Sequence, residues 1–172
     1  MKRIGLISDT HGKLADDVIS HLRTCDEIWH AGDIGSIEVF DVLQQIKPTV
    51  AVYGNIDGGE VRNACNAIEF FEREDLKILI HHYGGRSGKF DQRAVELIKK
   101  LNPDLFVCGH SHTLHVGREP RFNNCLILNP GAAGYHGFHS VRTLLRFTLH
   151  QGKVTDMEAI ELKKRRPDTI EM

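Results

Sequence analysis

From Arg3 to Asp57 the chain alternates three short apolar runs with two stretches of helical periodicity, and that order leaves few folds open. The runs are Arg3-Ile4-Gly5-Leu6-Ile7, Glu27-Ile28-Trp29-His30-Ala31 and Thr49-Val50-Ala51-Val52-Tyr53. Between the first two, Leu14, Val18, Ile19 and Leu22 mark one apolar face of a helix over 13–24. A second helix is expected over 36–46, with Ser36 at its N-cap and Pro48 just beyond its end. Strand, helix, strand, helix, strand calls for a parallel sheet with crossover helices.

Each run also stops at side chains suited to a metal. The first ends in Ser8-Asp9-Thr10-His11, and side chains at i and i+2 of a strand share a face, so Asp9 and His11 are expected to reach one ion. The second ends in Gly32-Asp33 and the third in Gly54-Asn55-Ile56-Asp57. Paired strands over 67–71 and 76–80 lead into His81-His82-Tyr83-Gly84-Gly85. A helix over 91–101 stops before Asn102-Pro103, and Leu105-Phe106-Val107-Cys108 then enters Gly109-His110-Ser111-His112. Strands over 113–117, 124–128, 141–149 and 154–162 complete a single domain, 1–172, whose second half is expected to be largely antiparallel. A charged tail occupies 163–172.

In open α/β sheets the carboxyl ends of the strands line the ligand crevice, so these distant residues can converge. Six or seven nitrogen and oxygen donors are too many for one four-coordinate ion. They suit two ions sharing a carboxylate, an arrangement used for in-line displacement at phosphorus. The glycines before Asp33, Asn55 and His110 are expected to allow sharp turns and leave room for substrate.

The order D-x-H, G-D, G-N, H, G-H-x-H from Asp9 to His112, followed by Asn129-Pro130-Gly131-Ala132, resembles the calcineurin-like metallophosphoesterase superfamily, and most closely its small prokaryotic phosphodiesterases. The resemblance implies a four-layer α/β/β/α sandwich, two mixed sheets flanked by helices. It implies that Asp9, His11 and His112 hold one metal, that Asn55, His82 and His110 hold a second, and that Asp33 bridges them. The implied reaction is phosphodiester hydrolysis by in-line attack of a metal-bridging hydroxide. A phosphomonoesterase, a nuclease or a non-catalytic protein-binding scaffold of the same fold are the alternatives. The chain departs from the family twice. Where the family shows Thr-His-Gly, the two glycines that follow favour His82 as ligand, with His81, in the threonine position, as the alternative. Only one of the two can point at the metals, since neighbouring strand residues face opposite ways. Larger relatives place a general-acid histidine directly after the asparagine; here Ile56 stands there, leaving Asp57 or solvent to protonate the leaving group.

His139 and Arg142 follow the Asn-Pro-Gly loop and are further candidates for contact with a substrate phosphate. His30, inside an apolar run, is expected to support the site from the core rather than to ligate. Gly84 to Lys89 lacks the first glycine and the Ser or Thr of a nucleotide-binding loop, and is expected to form a glycine-rich rim of the site.

The net charge of −1 supplies no general reason to bind nucleic acid or anionic membrane, and no aromatic or basic groove for a strand is visible. The basic run Lys163-Lys164-Arg165-Arg166 is expected to be a solvated tail. Four isolated cysteines and the lack of a visible signal or membrane span fit reduced thiols in a cytoplasmic protein. The expected ligand is a small phosphoester, homo-oligomerisation being left open. Two divalent ions are expected, manganese first, with iron, zinc, nickel and cobalt also compatible with mixed carboxylate, amide and imidazole ligation.

Overall fold

The structure, a computed structural model, describes residues 1–86 and 88–163. The basic run therefore lies outside the described residues except for Lys163. Two five-stranded sheets face each other. The first carries strands β1 (Lys2–Ile7), β2 (Glu27–His30) and β3 (Thr49–Ala51), all parallel, with helices α1 (Asp16–Leu22) and α2 (Ile37–Ile46) as crossovers. A short helix, α3 (Gly59–Ala64), follows β3; its glycine-rich start gives no apolar periodicity, and sequence reasoning did not expect it.

The second sheet has the order β4 (Ile68–Arg73), β5 (Leu76–His81), β8 (Leu105–Val107), β10 (Cys125–Pro130), β9 (Leu114–Glu119). Between β5 and β8 lie a two-stranded hairpin, β6 (Gly85–Arg86) with β7 (Lys89–Phe90), and helix α4 (Gln92–Leu101). Asp91 caps α4 by accepting from the N–H groups of Arg93 and Ala94. A turn of 3-10 helix, Pro120–Phe122, joins β9 to β10.

The second half is largely antiparallel as expected, at β4–β5, β6–β7, β9–β10, β11–β12 and β1–β11, with the exception that β5, β8 and β10 are mutually parallel at the centre of their sheet. The α4 crossover returns β8 in the direction of β5, and only β4 and β9 at the two edges run the other way. The last strands, β11 (Thr143–His150) and β12 (Lys153–Glu161), leave that sheet altogether. They join the first sheet against β1, giving the order β12-β11-β1-β2-β3.

Alternation along the strands builds three apolar layers. Ile4, Leu6, Trp29, Ile78, Ile80, Leu105, Val107, Leu128 and Phe147 fill the space between the sheets. On the outer face of the first sheet, Ile7 and Ile28 meet Val18, Leu22, Val39 and Leu43 of α1 and α2. Across the molecule, Leu79, Phe106 and Ile127 meet Ala94, Leu97 and Ile98 of α4. This is the expected α/β/β/α sandwich of two mixed sheets flanked by helices. Its central strands are covered on both faces, which is why they read as continuous apolar runs. Trp29 sits at the middle of the inner layer, edge-on to Phe71 and Phe147. No described helix is long and apolar enough to cross a membrane. All four cysteines are free and buried.

Candidate metal centre

At one end of the sandwich the loops after β1, β2, β3, β5 and β8 converge. The parallel pairing of β1 and β2 continues past the strand ends: Asp9 N–H donates to Gly32 O, His11 N–H to Asp33 O and Gly12 N–H to Ile34 O. That continuation carries His11 alongside Asp33. The convergence of Asp9 and His11 was expected from strand alternation, but β1 has ended at Ile7 before they are reached. Instead both residues take left-handed backbone angles, φ 54° and 48°, as do Asp33 at 55°, His110 at 67° and His112 at 57°. Left-handed backbone is costly for residues with a Cβ, and such strain persists where surrounding structure enforces it. Here it turns each side chain sharply off its strand and into a common space.

Two groups of potential ligands result: Asp9, His11 and His112, and Asp33, His82 and His110. Asp33 spans them. Its Oδ2 lies 3.6 Å from His11 Nε2, and its Oδ1 lies 3.4 Å from His82 Nε2. Asn55 Oδ1 sits 3.1 Å from both His82 Nε2 and His110 Nδ1. All seven residues singled out in the sequence as ligands are thus brought together. His81, the alternative to His82, turns away, with Nδ1 2.8 Å from the Tyr83 carbonyl.

Neighbouring groups decide which ring nitrogens are bare. His82 Nδ1–H donates to Ala31 O at 2.8 Å, so a neutral His82 presents an unprotonated Nε2 to the two oxygens in front of it. His139 Nε2–H donates to Gly134 O at 2.9 Å, leaving its Nδ1 to accept from His112 Nδ1–H at 3.2 Å. A neutral His112 then turns a bare Nε2 towards Asp9 Oδ1, 3.2 Å away. Among the described residues, Asp9 Oδ1 and His11 Nε2 are buried side-chain atoms with no hydrogen-bond partner. Buried polar atoms without partners are costly, and carboxylate oxygens and bare imidazole nitrogens facing one another are what divalent cations satisfy. The donor set of carboxylate, amide oxygen and imidazole therefore fits the two metals.

Charge is redistributed accordingly. Burial pushes the His11 and His110 imidazoles below their ordinary value. Burial also opposes ionisation of Asp33, but the hydrogen bond and charge of His82 outweigh it and hold the carboxyl low. Asp9 raises His112, which a metal would reverse by displacing the proton.

The supporting residues correct several expectations. Gly54 and Gly109 make room for ligands rather than for substrate: a Cβ at Gly54 would collide with Asp33 Oδ1, and one at Gly109 with Ser8 Oγ. Asn129 holds the Gly-His-Ser-His loop, its Nδ2 donating to Gly109 O and to Ser111 Oγ, both at 3.0 Å. His30 is buried, as expected. Gly32 N–H donates to its Nδ1, so Nε2–H donates to Thr10 Oγ1, which in turn donates to Ile34 O. Burial pushes this imidazole down to about 4, and it stays neutral.

Asp57 is not available to a leaving group. It is buried, and its carboxylate accepts from the N–H groups of Ile34, Gly35 and Gly54, tying the loops after β2 and β3 together. Arg142 is not available to a phosphate. It is buried, pairs with Asp17 at 3.0 Å, and donates to the carbonyls of Ala133 and Lys163. His139 acts behind His112, although it also lines the cavity. The described residues of the glycine-rich segment do not line the metal cavity. Gly85 and Phe90 border a smaller one of about 210 Å³, which shares only Ser111 and Thr113 with it.

The cavity at this site encloses about 580 Å³ and is lined by the candidate ligands His11, Asp33, Asn55, His110 and His112 together with Ile56, Ser111, Thr113 and the segment from His136 to His139. His136 was missed in the sequence. Its ring lies over that of His11, centroids 4.8 Å apart. A histidine between Gly134-Tyr135 and Gly137, close after the Asn-Pro-Gly loop, was the available signal.

Candidate metal-binding loops gathered at the strand ends of two packed sheets are what the fold and the site define. The chain belongs to the calcineurin-like phosphoesterase superfamily, whose domain matches residues 1–152. A probable metallophosphoesterase of Methanocaldococcus jannaschii is 32% identical over 138 residues, covering 75% of this chain and 67% of that protein. Among solved structures, one described as a novel archaeal phosphodiesterase superposes with a TM-score of 0.71 at 23% identity, covering 93% of this chain and 99% of that one. Vps29 of Entamoeba histolytica complexed with zinc superposes with a TM-score of 0.68 at 18% identity, covering 92% and 98%. At those identities the superpositions show the shared fold. Divalent metal is the cofactor class of a metallophosphoesterase, and hydrolysis its reaction class.

Proposed function

We propose that this protein is a dinuclear phosphoesterase that hydrolyses phosphodiesters. The observation that carries the reading is Asp33, whose two carboxylate oxygens face histidines of different ligand groups. Asp9, His11 and His112 would hold one metal, Asn55, His82 and His110 the other, and Asp33 would bridge them. When bound, such ions make water a nucleophile at neutral pH and neutralise the non-bridging oxygens of the phosphate. Manganese is the first expectation, with iron, zinc, nickel and cobalt accepted by the same donors.

The chain's own residues do the rest. The left-handed loops aim the ligands, and His139 and Ala31 O set the tautomers of His112 and His82. His136, exposed in the cavity beside His11, would hand a proton to the leaving oxygen. Diesters are favoured over monoesters on charge. Among the described residues lining the cavity there is no Lys or Arg, and a diester brings one negative charge where a monoester brings up to two. Four buried free thiols support a reducing, cytoplasmic setting.

The test is hydrolysis of bis(p-nitrophenyl) phosphate by chelator-stripped protein with and without Mn²⁺. A metal-dependent rate that disappears in Asp33→Ala supports the reading. Folded protein with no rate under any divalent metal overturns it in favour of a binding scaffold.

A further inference from the structure

Two exposed apolar side chains stand in the metal cavity. Ile56 is 46% exposed and Phe138 is fully exposed. Each is tied through its backbone to a different ligand group. The Ile56 N–H donates to Asp33 Oδ1 at 3.1 Å, which seats Ile56 beside the proposed bridging carboxylate. Phe138 lies between Gly137 and His139. His139 bonds to His112, and Gly137 packs so closely on the same ring that a Cβ there would lie 2.5 Å from His112 Nδ1. Large apolar groups held open to water beside a polar site are a feature of ligand pockets, where the apolar body of the ligand covers them. An aromatic ring such as Phe138 gains most from another ring, by offset or edge-to-face contact.

The remaining lining is polar but nearly without fixed charge. Among the described lining residues Asp33 is the only carboxylate, Ser111 and Thr113 offer hydroxyls, and none is Lys or Arg. Among the described residues of this lining, a ligand with further phosphates would find no cation for them beyond the metal groups.

Resting on the phosphoesterase reading, we infer that Phe138 and Ile56 form the seat of the substrate's ester group. The substrate class is a phosphodiester with a single phosphate and an uncharged planar ring, either a simple aryl group or a nucleobase. Polyphosphates and long anionic strands are disfavoured by the same surface.

Calorimetric binding of phenylphosphonate and methylphosphonate to the Mn²⁺-loaded protein separates ring from phosphorus. The phenyl ligand is expected to bind about tenfold more tightly, and the ratio is expected to fall to within about twofold when Phe138→Ala and Ile56→Ser are combined. Phe70→Ala, an exposed aromatic on edge strand β4 of the second sheet, should keep the full ratio. A ratio near one in the native protein, no measurable binding of either phosphonate, or a ratio unchanged in the double variant overturns the inference. Relative kcat/KM for p-nitrophenyl phenylphosphonate and for the p-nitrophenyl ester of thymidine 5′-phosphate then identifies the ring as aryl or nucleobase. Phenyl preference without any hydrolysis would sink the phosphoesterase reading and keep the ring seat. Hydrolysis of bis(p-nitrophenyl) phosphate without phenyl preference would do the reverse.

Discussion

His112 and His139 meet through their Nδ1 atoms at 3.2 Å, and the bond from His139 Nε2–H to Gly134 O decides which of the two carries the proton between them. The proton belongs to His112, so the Nε2 of His112 is free for the metal group around Asp9. Removing such a partner costs a metal site roughly 10–100-fold in affinity. His139→Ala is accordingly expected to weaken Mn²⁺ binding in that range, measured by titration of the chelator-stripped protein. His139→Gln, which can still accept through its amide oxygen, should recover part of the loss. Native affinity in His139→Ala would show that His112 needs no such support.

Buried neutral His30 makes stability depend on pH. Its folded value of about 4 lies below its ordinary value of 6.5, so between those limits the unfolded chain binds the extra proton. Stability is complete above pH 6.5 and is lost as the pH falls towards 4, by on the order of 3 kcal/mol for a gap of this size. Urea unfolding of metal-free protein across pH 7.5 to 4.5 checks it. The native curve should fall more steeply than that of His30→Gln, in which this group no longer titrates. Parallel curves would remove His30 as the cause.

Asp57 binds three backbone N–H groups from two loops. Asp57→Ala leaves these donors unpaired, and the expected loss is roughly 2–4 kcal/mol of unfolding free energy. Its remaining turnover should fall by the same factor for nitrophenyl and for alkyl leaving groups, because the carboxylate never meets the leaving oxygen. A selective loss with alkyl esters would return Asp57 to the acid role that its place after Ile56 suggested.

That selective loss is expected of His136→Ala instead. Nitrophenolate departs without help, whereas an alkoxide needs a proton, and general acids contribute about 10²–10⁴-fold to such steps. The ratio of rates on bis(p-nitrophenyl) phosphate and on an alkyl diester, compared between native and variant protein, reads this directly. A ratio unmoved by the substitution would exclude His136.

Arg142→Ala should act on stability and not on substrate. Its guanidinium ties α1, through Asp17, to the loop carrying Ala133 and to the segment just past β12 at Lys163. Breaking a buried pair costs about 3 kcal/mol, somewhat less here because Asp17 keeps some contact with solvent. The urea midpoint should drop while KM for bis(p-nitrophenyl) phosphate stays unchanged. A raised KM at native stability would put Arg142 back at the phosphate.

Much of this protein follows from local order along the chain. Apolar runs buried on both faces, separated by helical periodicity, specify the α/β layers, and the candidate ligands after β1, β2, β3, β5 and β8 specify which end carries the site. Those signals are short-range, since strand period, helix period and the residue after a strand are all decided within a few positions. The residues that were misplaced are those whose partners lie far away in sequence. Asp57 depends on Ile34 and Gly35, and Arg142 on Asp17 and Lys163. Likewise β11 and β12 pair with β1 from the other end of the chain, which no periodicity reports. Even Asp9 and His11 converge for a reason invisible in their spacing, through left-handed turns that only the packed neighbours can enforce. The sequence alone determined which side chains are offered as ligands and in what order along the sheets. Tertiary structure decided which lone pairs face inward, because a tautomer, a strained turn or a buried ion pair is set by groups that only folding brings within reach.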